Sequence, residues 1–263
     1  MPTTNGGGLL AGRVALVTGG SQGLGRGIAE AFVAEGAQVV ICGRDPERGN
    51  SAALEIGAEF VPADVSVVAD CRRVVEETVA RHGRLDILVN NAGVFAVGPT
   101  PSFEERQWDA VFSTKAKGTF FCTAAAVEQM ASQGSGRVIT ISAGSRPIGG
   151  AAAYSAANAA ARQMMMCFAA EYGDRGVRFH QIEPGVHETP ATAFLLDNPD
   201  ARAMALSMIP AGRIGKPEDI AAAVVFLAGD ASDYMQGANL IVDGGMWLQG
   251  PKAPAVRLAE AGR

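Results

Sequence analysis

The sequence predicts an α/β protein whose central sheet is parallel and covered by helices on both faces. Short apolar runs alternate with longer segments of helical periodicity, as in a doubly wound fold. Most of the short runs are continuously apolar, which is typical of parallel strands buried on both sides. The predicted strands are Val14–Thr18, Gln38–Cys42, Glu59–Val61, Ile87–Asn90, Val138–Ser142, Val177–Ile182 and Leu240–Val242.

Helical segments fill the gaps between these strands. After the first strand, an apolar stripe of helical periodicity is followed by Gly36, at a position where helices commonly end with glycine. Further helices are predicted at Val67–Arg81, Glu104–Ala131, Ala152–Tyr172 and Pro217–Leu227. Periodicity is weak after the sixth strand, so we expect a substrate loop or short helical lid at about residues 183–212.

Composition indicates an ordinary globular protein, with 48% hydrophobic and 19% charged residues in a chain of 263. No shift in composition divides the chain, so we expect a single domain over residues 1–263, with a flexible tail at 1–9 and an extension at 250–263. The formal net charge of −5 argues against a nucleic-acid or anionic membrane surface. The sequence has no cluster with metal-ligand spacing, no signal peptide and no apolar run of membrane-spanning length, so a cytoplasmic protein is expected.

A glycine-rich turn follows the first predicted strand and opens the first helix. The stretch 18–25 reads TGGSQGLG. Within it, Gly19 permits a tight turn, Gly23 lets the backbone approach a pyrophosphate, and Gly25 allows the helix to pack closely on the strand. The strand before the turn and the helix after it make this pattern indicative of a Rossmann-type dinucleotide site. The candidate cofactor ligands in the turn are Gly19, Ser21, Gln22, Gly23 and Leu24.

The end of the second strand bears on the choice between the two nicotinamide dinucleotides. An acidic residue at this point commonly binds the ribose 2′-hydroxyl of NAD. Here Gly43 stands at that point, and Arg44 could pair with the 2′-phosphate of NADP. This favours NADP(H), while the neighbouring Asp45 leaves NAD(H) open.

Over about residues 10–247 the chain resembles the short-chain dehydrogenase/reductase family. The resemblance rests on the glycine-rich turn and on later motifs at Asp64-Val65, Asn90-Asn91-Ala92-Gly93, Tyr154, Pro184-Gly185 with Thr189, and Val242-Asp243-Gly244-Gly245. It implies that Asp64 and Val65 contact the adenine and that Asn91, Ala92 and Gly93 flank the ribose. Pro184, Gly185 and Thr189 would hold the nicotinamide. It also implies a homodimer or homotetramer.

The family's catalytic set comprises asparagine, serine, tyrosine and lysine. The tyrosine exchanges a proton with the substrate oxygen while hydride moves to or from the cofactor, and the lysine lowers the tyrosine pKa. Tyr154 matches the tyrosine, but Asn158 stands where the lysine is expected and Lys115 stands where the asparagine is expected. Ala143 takes the position of the serine, which leaves Ser142 or Ser145 as a candidate, or no catalytic serine at all.

Three interpretations of the Lys115/Asn158 exchange remain open. Lys115 could supply the missing positive charge from a neighbouring helix. The usual redox chemistry could instead be lost, leaving elimination, isomerisation, cyclisation or cofactor binding alone. Or Lys115 could point to solvent like Lys117, in a weak enzyme. The first predicts an NADP(H)-dependent oxidoreductase that interconverts a secondary alcohol and a carbonyl in a small-molecule substrate.

Overall fold

Seven parallel strands form a single sheet in this computed structural model, which describes residues 7–143 and 148–248. The strands are β1 (Val14–Thr18), β2 (Gln38–Gly43), β3 (Glu59–Pro62), β4 (Ile87–Asn90), β5 (Gly136–Ile141), β6 (Val177–Pro184) and β7 (Asn239–Val242). They lie in the order β3-β2-β1-β4-β5-β6-β7. Because β1 has β2 on one side and β4 on the other, a crevice is expected at their carboxyl ends, where the order of the chain reverses.

Helices cover both faces of the sheet. They are α1 (Gly23–Ala34), α2 (Pro46–Ile56), α3 (Val68–His82), α4 (Glu105–Phe112), α5 (Gly118–Gln133), α6 (Ala152–Tyr172), α7 (Ala193–Leu196), α8 (Pro199–Met208) and α9 (Pro217–Ala228). One buried apolar cluster joins the sheet to α1 and α9, and a second joins it to α3, α5 and α6. The predicted Rossmann-type, doubly wound fold is therefore confirmed.

The observed helices differ from the predicted ones in two places. The helix expected over Glu104–Ala131 is interrupted by a π-helical turn at Ser113–Lys117, which separates α4 from α5. Such a turn changes the direction in which the following side chains point. Helix α2 was not predicted at all, although Asp45 caps its N-terminus and Gly57 ends it in the left-handed conformation.

The segment from 183 to 212 contains two short helices, α7 and α8, after β6. Thr189 precedes them, and its backbone and side chain form a small hydrogen-bonded loop with Thr192. The tail before residue 7, Ser145 and the C-terminal extension from residue 249 lie outside the described residues. Among the helices of residues 7–143 and 148–248, none has the length and apolar character needed to cross a membrane.

Gly25 provides the first test of how tightly the turn is built. A Cβ atom at this position would overlap the Gly19 carbonyl oxygen and the Asn91 side-chain amide. We expect Gly25→Ala to lower the free energy of unfolding by about 1–3 kcal/mol, because the crowded atoms must move. Urea unfolding would measure the loss, with Gly98→Ala as the control since a Cβ there meets open space. Equal stability of the two variants would contradict the prediction.

Candidate active site

The glycine-rich turn presents the N-terminus of α1 toward the crevice. Gly19 has φ +65°, a left-handed conformation that favours glycine, and α1 begins at Gly23. The helix has no side-chain cap at Gln22 and no acidic residue in its first turn. The helix dipole and backbone N–H groups at this end are therefore suited to an anion such as a pyrophosphate.

The loop after β4 holds the turn in place. The Asn91 side-chain amide donates to the carbonyl oxygens of Thr18 (2.9 Å) and Gly19 (3.1 Å). In return, the Thr18 hydroxyl accepts from the backbone N–H groups of Asn91 (3.0 Å) and Ala92 (3.1 Å). These bonds fix the two loops on either side of the crevice, so its shape is set before any ligand binds.

A cavity of about 340 Å³ opens at the carboxyl ends of the strands. The predicted site residues that border it are Gly19, Ser21, Gln22, Gly23, Leu24, Arg44, Asp64, Val65, Asn91, Ala92, Gly93, Lys115, Ser142, Tyr154, Asn158 and Thr189. Pro184 and Gly185 are not part of this lining. The Gly185 N–H donates to the Val242 carbonyl (3.0 Å), so this stretch is tied to the end of β7.

Two arginines lie where the cavity meets the end of β2. Arg44 is exposed and makes no hydrogen bond or ion pair with any described residue. Arg48, which the sequence reasoning missed, donates to the Gln22 side chain (2.8 Å) and pairs with Asp45 (3.3 Å). Asp45 also accepts from the Arg48 N–H (3.1 Å) as the cap of α2. The acidic neighbour of Arg44 is thus engaged in local structure.

Lys115 is buried at the opposite end of the cavity. Its side chain is only 4% exposed, and its ammonium donates to the carbonyl oxygen of Ile141 at the end of β5. No described residue forms an ion pair with it, so burial alone lowers the pKa of Lys115 to about 7. Lys117, two residues on, is exposed. The interpretation that Lys115 points to solvent like Lys117 is therefore wrong.

Tyr154 and Asn158 face the same cavity from α6, one helical turn apart. The Asn158 amide donates to the backbone carbonyl of Tyr154 (2.9 Å). Burial raises the pKa of the Tyr154 phenol above its ordinary value, and a hydrogen bond with Asn158 offsets only part of that rise. A neutral amide cannot stabilise a phenolate as a cation does, so the phenol stays protonated near neutral pH unless another charge acts on it.

The serine candidate Ser142, where the fifth strand was predicted to end, lies one residue beyond the observed end of β5 at Ile141. Its N–H donates to the Ile182 carbonyl (2.8 Å), its side chain is buried, and it borders the cavity. Ala143 follows it. A side chain at 142 thus borders the same cavity as Tyr154 and Lys115.

Comparison with known proteins identifies the group to which this architecture belongs. A family described as enoyl-(acyl carrier protein) reductase matches residues 19–247. The 3-oxoacyl-(acyl-carrier-protein) reductase FabG of Thermotoga maritima is 37% identical over 246 residues, covering 90% of this chain and 98% of the relative. The chain belongs to the short-chain dehydrogenase/reductase family.

Two further relatives extend the comparison. The 2,5-dichloro-2,5-cyclohexadiene-1,4-diol dehydrogenase LinX of Sphingobium indicum is 38% identical over 251 residues, covering 92% of this chain and 98% of its own. In the structure of Pseudomonas aeruginosa RhlG with NADP, the chain is 34% identical in sequence to this one. The two structures match with a TM-score of 0.86, over 90% of this chain and 97% of the RhlG chain. As a short-chain dehydrogenase/reductase, the protein is an NAD(P)-dependent oxidoreductase of small molecules.

Sequence reasoning missed part of the short-chain dehydrogenase/reductase site. Phe95 borders the cavity and packs its ring edge-on against Tyr154, with centroids 5.0 Å apart. Phe194 in α7 stacks on Phe95 at 6.0 Å. The two phenylalanines are 99 positions apart in the sequence, and no local pattern joins them. Their meeting depends on how the segment after β6 folds back over the cavity.

Proposed function

We propose that this protein is an NADP(H)-dependent oxidoreductase that interconverts a secondary alcohol and a carbonyl, with Tyr154 as the proton donor or acceptor. The observation that carries the proposal is the buried Lys115 ammonium in the wall of the cavity that Tyr154 also borders. It supplies a positive charge to a site in which Asn158 has none.

The chain's own residues fit a dinucleotide. The uncapped start of α1 suits a pyrophosphate, and the closeness of Gly25 to Gly19 leaves the turn no room for a larger side chain. Along the cavity, Asp64 and Val65 would hold the adenine. Asn91, Ala92 and Gly93 would flank the ribose, and Thr189, which borders the cavity, would hold the nicotinamide together with Pro184 and Gly185, which lie outside the cavity lining at the end of β6. The bound dinucleotide would supply or accept the hydride.

The preference for NADP(H) rests on the charge near Arg44. Its guanidinium has no partner among the described residues, and Arg48 lies on the same stretch of cavity wall. Two guanidinium groups near a ribose would favour a 2′-phosphate over a hydroxyl. Asp45 is occupied by the cap of α2 and by Arg48, which weakens its competing role toward the 2′-hydroxyl of NAD(H).

Replacing Arg44 tests this preference. We expect Arg44→Ala to raise the Kd for NADPH by about 10- to 100-fold, which corresponds to the loss of one charge-assisted hydrogen bond, and to leave the Kd for NADH unchanged. Fluorescence titration with each cofactor would measure both constants. Arg72→Ala, an exposed arginine on α3 that does not border the cavity, is the control. Tighter binding of NADH than NADPH by the unaltered protein would overturn the cofactor choice.

The Tyr154 phenol would exchange the proton with the substrate oxygen. During alcohol oxidation, the Tyr154 oxygen takes the hydroxyl proton as the hydride leaves the carbinol carbon, and during reduction it returns that proton to the carbonyl oxygen. A nearby ammonium stabilises the phenolate and so lowers the barrier to this exchange. Lys115 would provide that ammonium, and Ser142 would polarise the substrate oxygen.

The helices beside the site suggest how copies of the chain associate. Phe120 on α5 and Met166 on α6 are large apolar side chains that remain exposed. Apolar side chains on neighbouring helices support the association into a homodimer or homotetramer that the resemblance implies.

The reaction is tested with a panel of secondary alcohols and ketones, following absorbance of the reduced cofactor. We expect turnover by the unaltered protein with NADP(H), and none by Tyr154→Phe, which keeps the ring and loses the proton. Saturable NADPH binding without turnover of any panel member would overturn the redox proposal. That outcome would favour elimination, isomerisation or cyclisation, or cofactor binding alone.

A further inference from the structure

Two phenylalanines form an apolar wall beside Tyr154. The rings of Phe95 and Phe194 are close to parallel, with an interplanar angle of 26° and centroids 6.0 Å apart. Phe95 also meets the Tyr154 ring edge-on at 84°. We call Phe95 and Phe194 the aromatic wall. Phe95 borders the cavity beside the phenol, and Phe194 stacks on Phe95 without itself lining the cavity, so a molecule lying on Phe95 would be held next to the proton donor.

The aromatic wall is not closed off by the protein core. Phe95 is 45% exposed and Phe194 is 63% exposed, although both are large apolar residues. A pair that served only to fix α7 against the body of the protein would be expected to bury more of its ring surface. Phe95, which borders the cavity, is therefore available to a ligand that enters it, and Phe194 leaves open ring surface directly beside Phe95.

Charged groups lie elsewhere in the cavity. Among the described residues that border it, Arg44, Asp45 and Arg48 follow β2, and Asp64 follows β3. Near Tyr154, the charged side chain in the described lining is Lys115, whose ammonium donates to the Ile141 carbonyl. The wall thus offers π faces and no ion-pair partner, which suits an uncharged group with a flat apolar surface.

We propose that the aromatic wall binds the ring of the substrate, so that the substrates of this enzyme are uncharged cyclic or aromatic ketones and the corresponding secondary alcohols. This inference rests on the proposed function. A ring stacked on Phe95 and Phe194 would direct a carbonyl substituent at its edge toward the Tyr154 phenol. Phe194 acts on specificity, while Phe95 also touches Tyr154 and so affects both binding and the proton donor.

The test compares an aryl ketone, acetophenone, with an alkyl ketone, 2-butanone, and a charged one, pyruvate. We expect the highest kcat/KM for acetophenone. Phe194→Leu should raise the KM for acetophenone by about three- to tenfold, the range expected for one aromatic contact, while kcat and the constants for 2-butanone stay within about twofold. Tyr234→Leu, which removes an exposed aromatic ring that has no ring contact with Phe95 or Tyr154, is the matched control.

The outcomes separate this inference from the proposed function. Equal kcat/KM for the three ketones, a preference for pyruvate, or an equal loss for all of them in Phe194→Leu would overturn the inference and leave the function standing. If no ketone is turned over, the function fails, and saturation-transfer NMR of 1-phenylethanol with the NADP complex decides the inference. Weaker binding in Phe194→Leu than in Tyr234→Leu would support it, and equal binding would overturn it.

Discussion

The Lys115→Met variant is expected to lose turnover by roughly 10²- to 10⁴-fold, the range by which acid–base catalysis contributes to enzymatic rates. Methionine keeps the length and apolar stem of lysine and removes the ammonium. The Tyr154 phenol, whose pKa burial already raises, would then have no cation at its end of the cavity among the described residues. Steady-state kinetics with NADP(H) would measure the loss as a fall in kcat.

The matched control is Lys117→Met, because Lys117 lies two residues away on the same π-helical turn and is exposed. We expect it to retain turnover. NADPH should bind Lys115→Met, since the glycine-rich turn and Arg44 are untouched. Activity in Lys115→Met equal to that of the unaltered protein would show that the charge of Lys115 plays no part in the reaction.

Exchanging the residues at positions 115 and 158 tests whether the positive charge can act from either position. In Lys115→Asn with Asn158→Lys, each side chain takes the type expected from the family's catalytic set. We expect this double variant to recover part of the turnover that Lys115→Asn alone loses. Failure to recover any turnover would mean that the surroundings of position 158 no longer accept an ammonium.

The second large effect is a change in the free energy of unfolding with pH. Burial lowers the pKa of Lys115 to about 7 in the folded protein, from its ordinary value of 10.5. Below pH 7 the folded and unfolded states both carry the proton, and the folded state bears the cost of a buried charge. Above pH 7 the folded state releases the proton while the unfolded state keeps it. The free energy of unfolding should therefore rise with pH, by about 2 kcal/mol between pH 7 and pH 9.

Urea unfolding of the unaltered protein and of Lys115→Met, at one protein concentration and ionic strength, isolates this contribution. Other titrating groups are common to both proteins; the buried His180, whose pKa falls to about 4, is one of them. The difference in unfolding free energy should favour Lys115→Met at pH 6 and shrink as the pH rises to 9. A difference that is constant over this range would show that Lys115 does not lose its proton near pH 7.

The strands could be predicted from the sequence because they are apolar runs whose character does not depend on distant residues. Val14–Thr18 and Ile87–Asn90 were predicted with their observed bounds. The helix α2 was missed because few of its side chains are apolar, although Asp45, Pro46 and Gly57 are recognisable as start and stop signals.

The site was predictable to the extent that its residues follow motifs. The glycine-rich turn, Asn91 and Tyr154 could be placed from the sequence and now border one cavity. The burial of Lys115 could not be inferred from its neighbours, because residues two apart on a helix face opposite sides and only tertiary packing decides whether Lys115 or Lys117 points inward. The contact of Phe95 with Phe194 depends on the long-range path of the segment after β6, which no local pattern reports.

The position of Lys115 has a mechanical consequence. Lys115 and Tyr154 lie on different elements, because the lysine belongs to the π-helical junction of α4 and α5 and the phenol belongs to α6. When both groups lie on one helix, the geometry of that helix fixes their separation. Here the separation depends on how α6 packs against a neighbouring segment. Any shift between these elements, from a ligand or from subunit association, would change the strength with which the ammonium acts on the phenol.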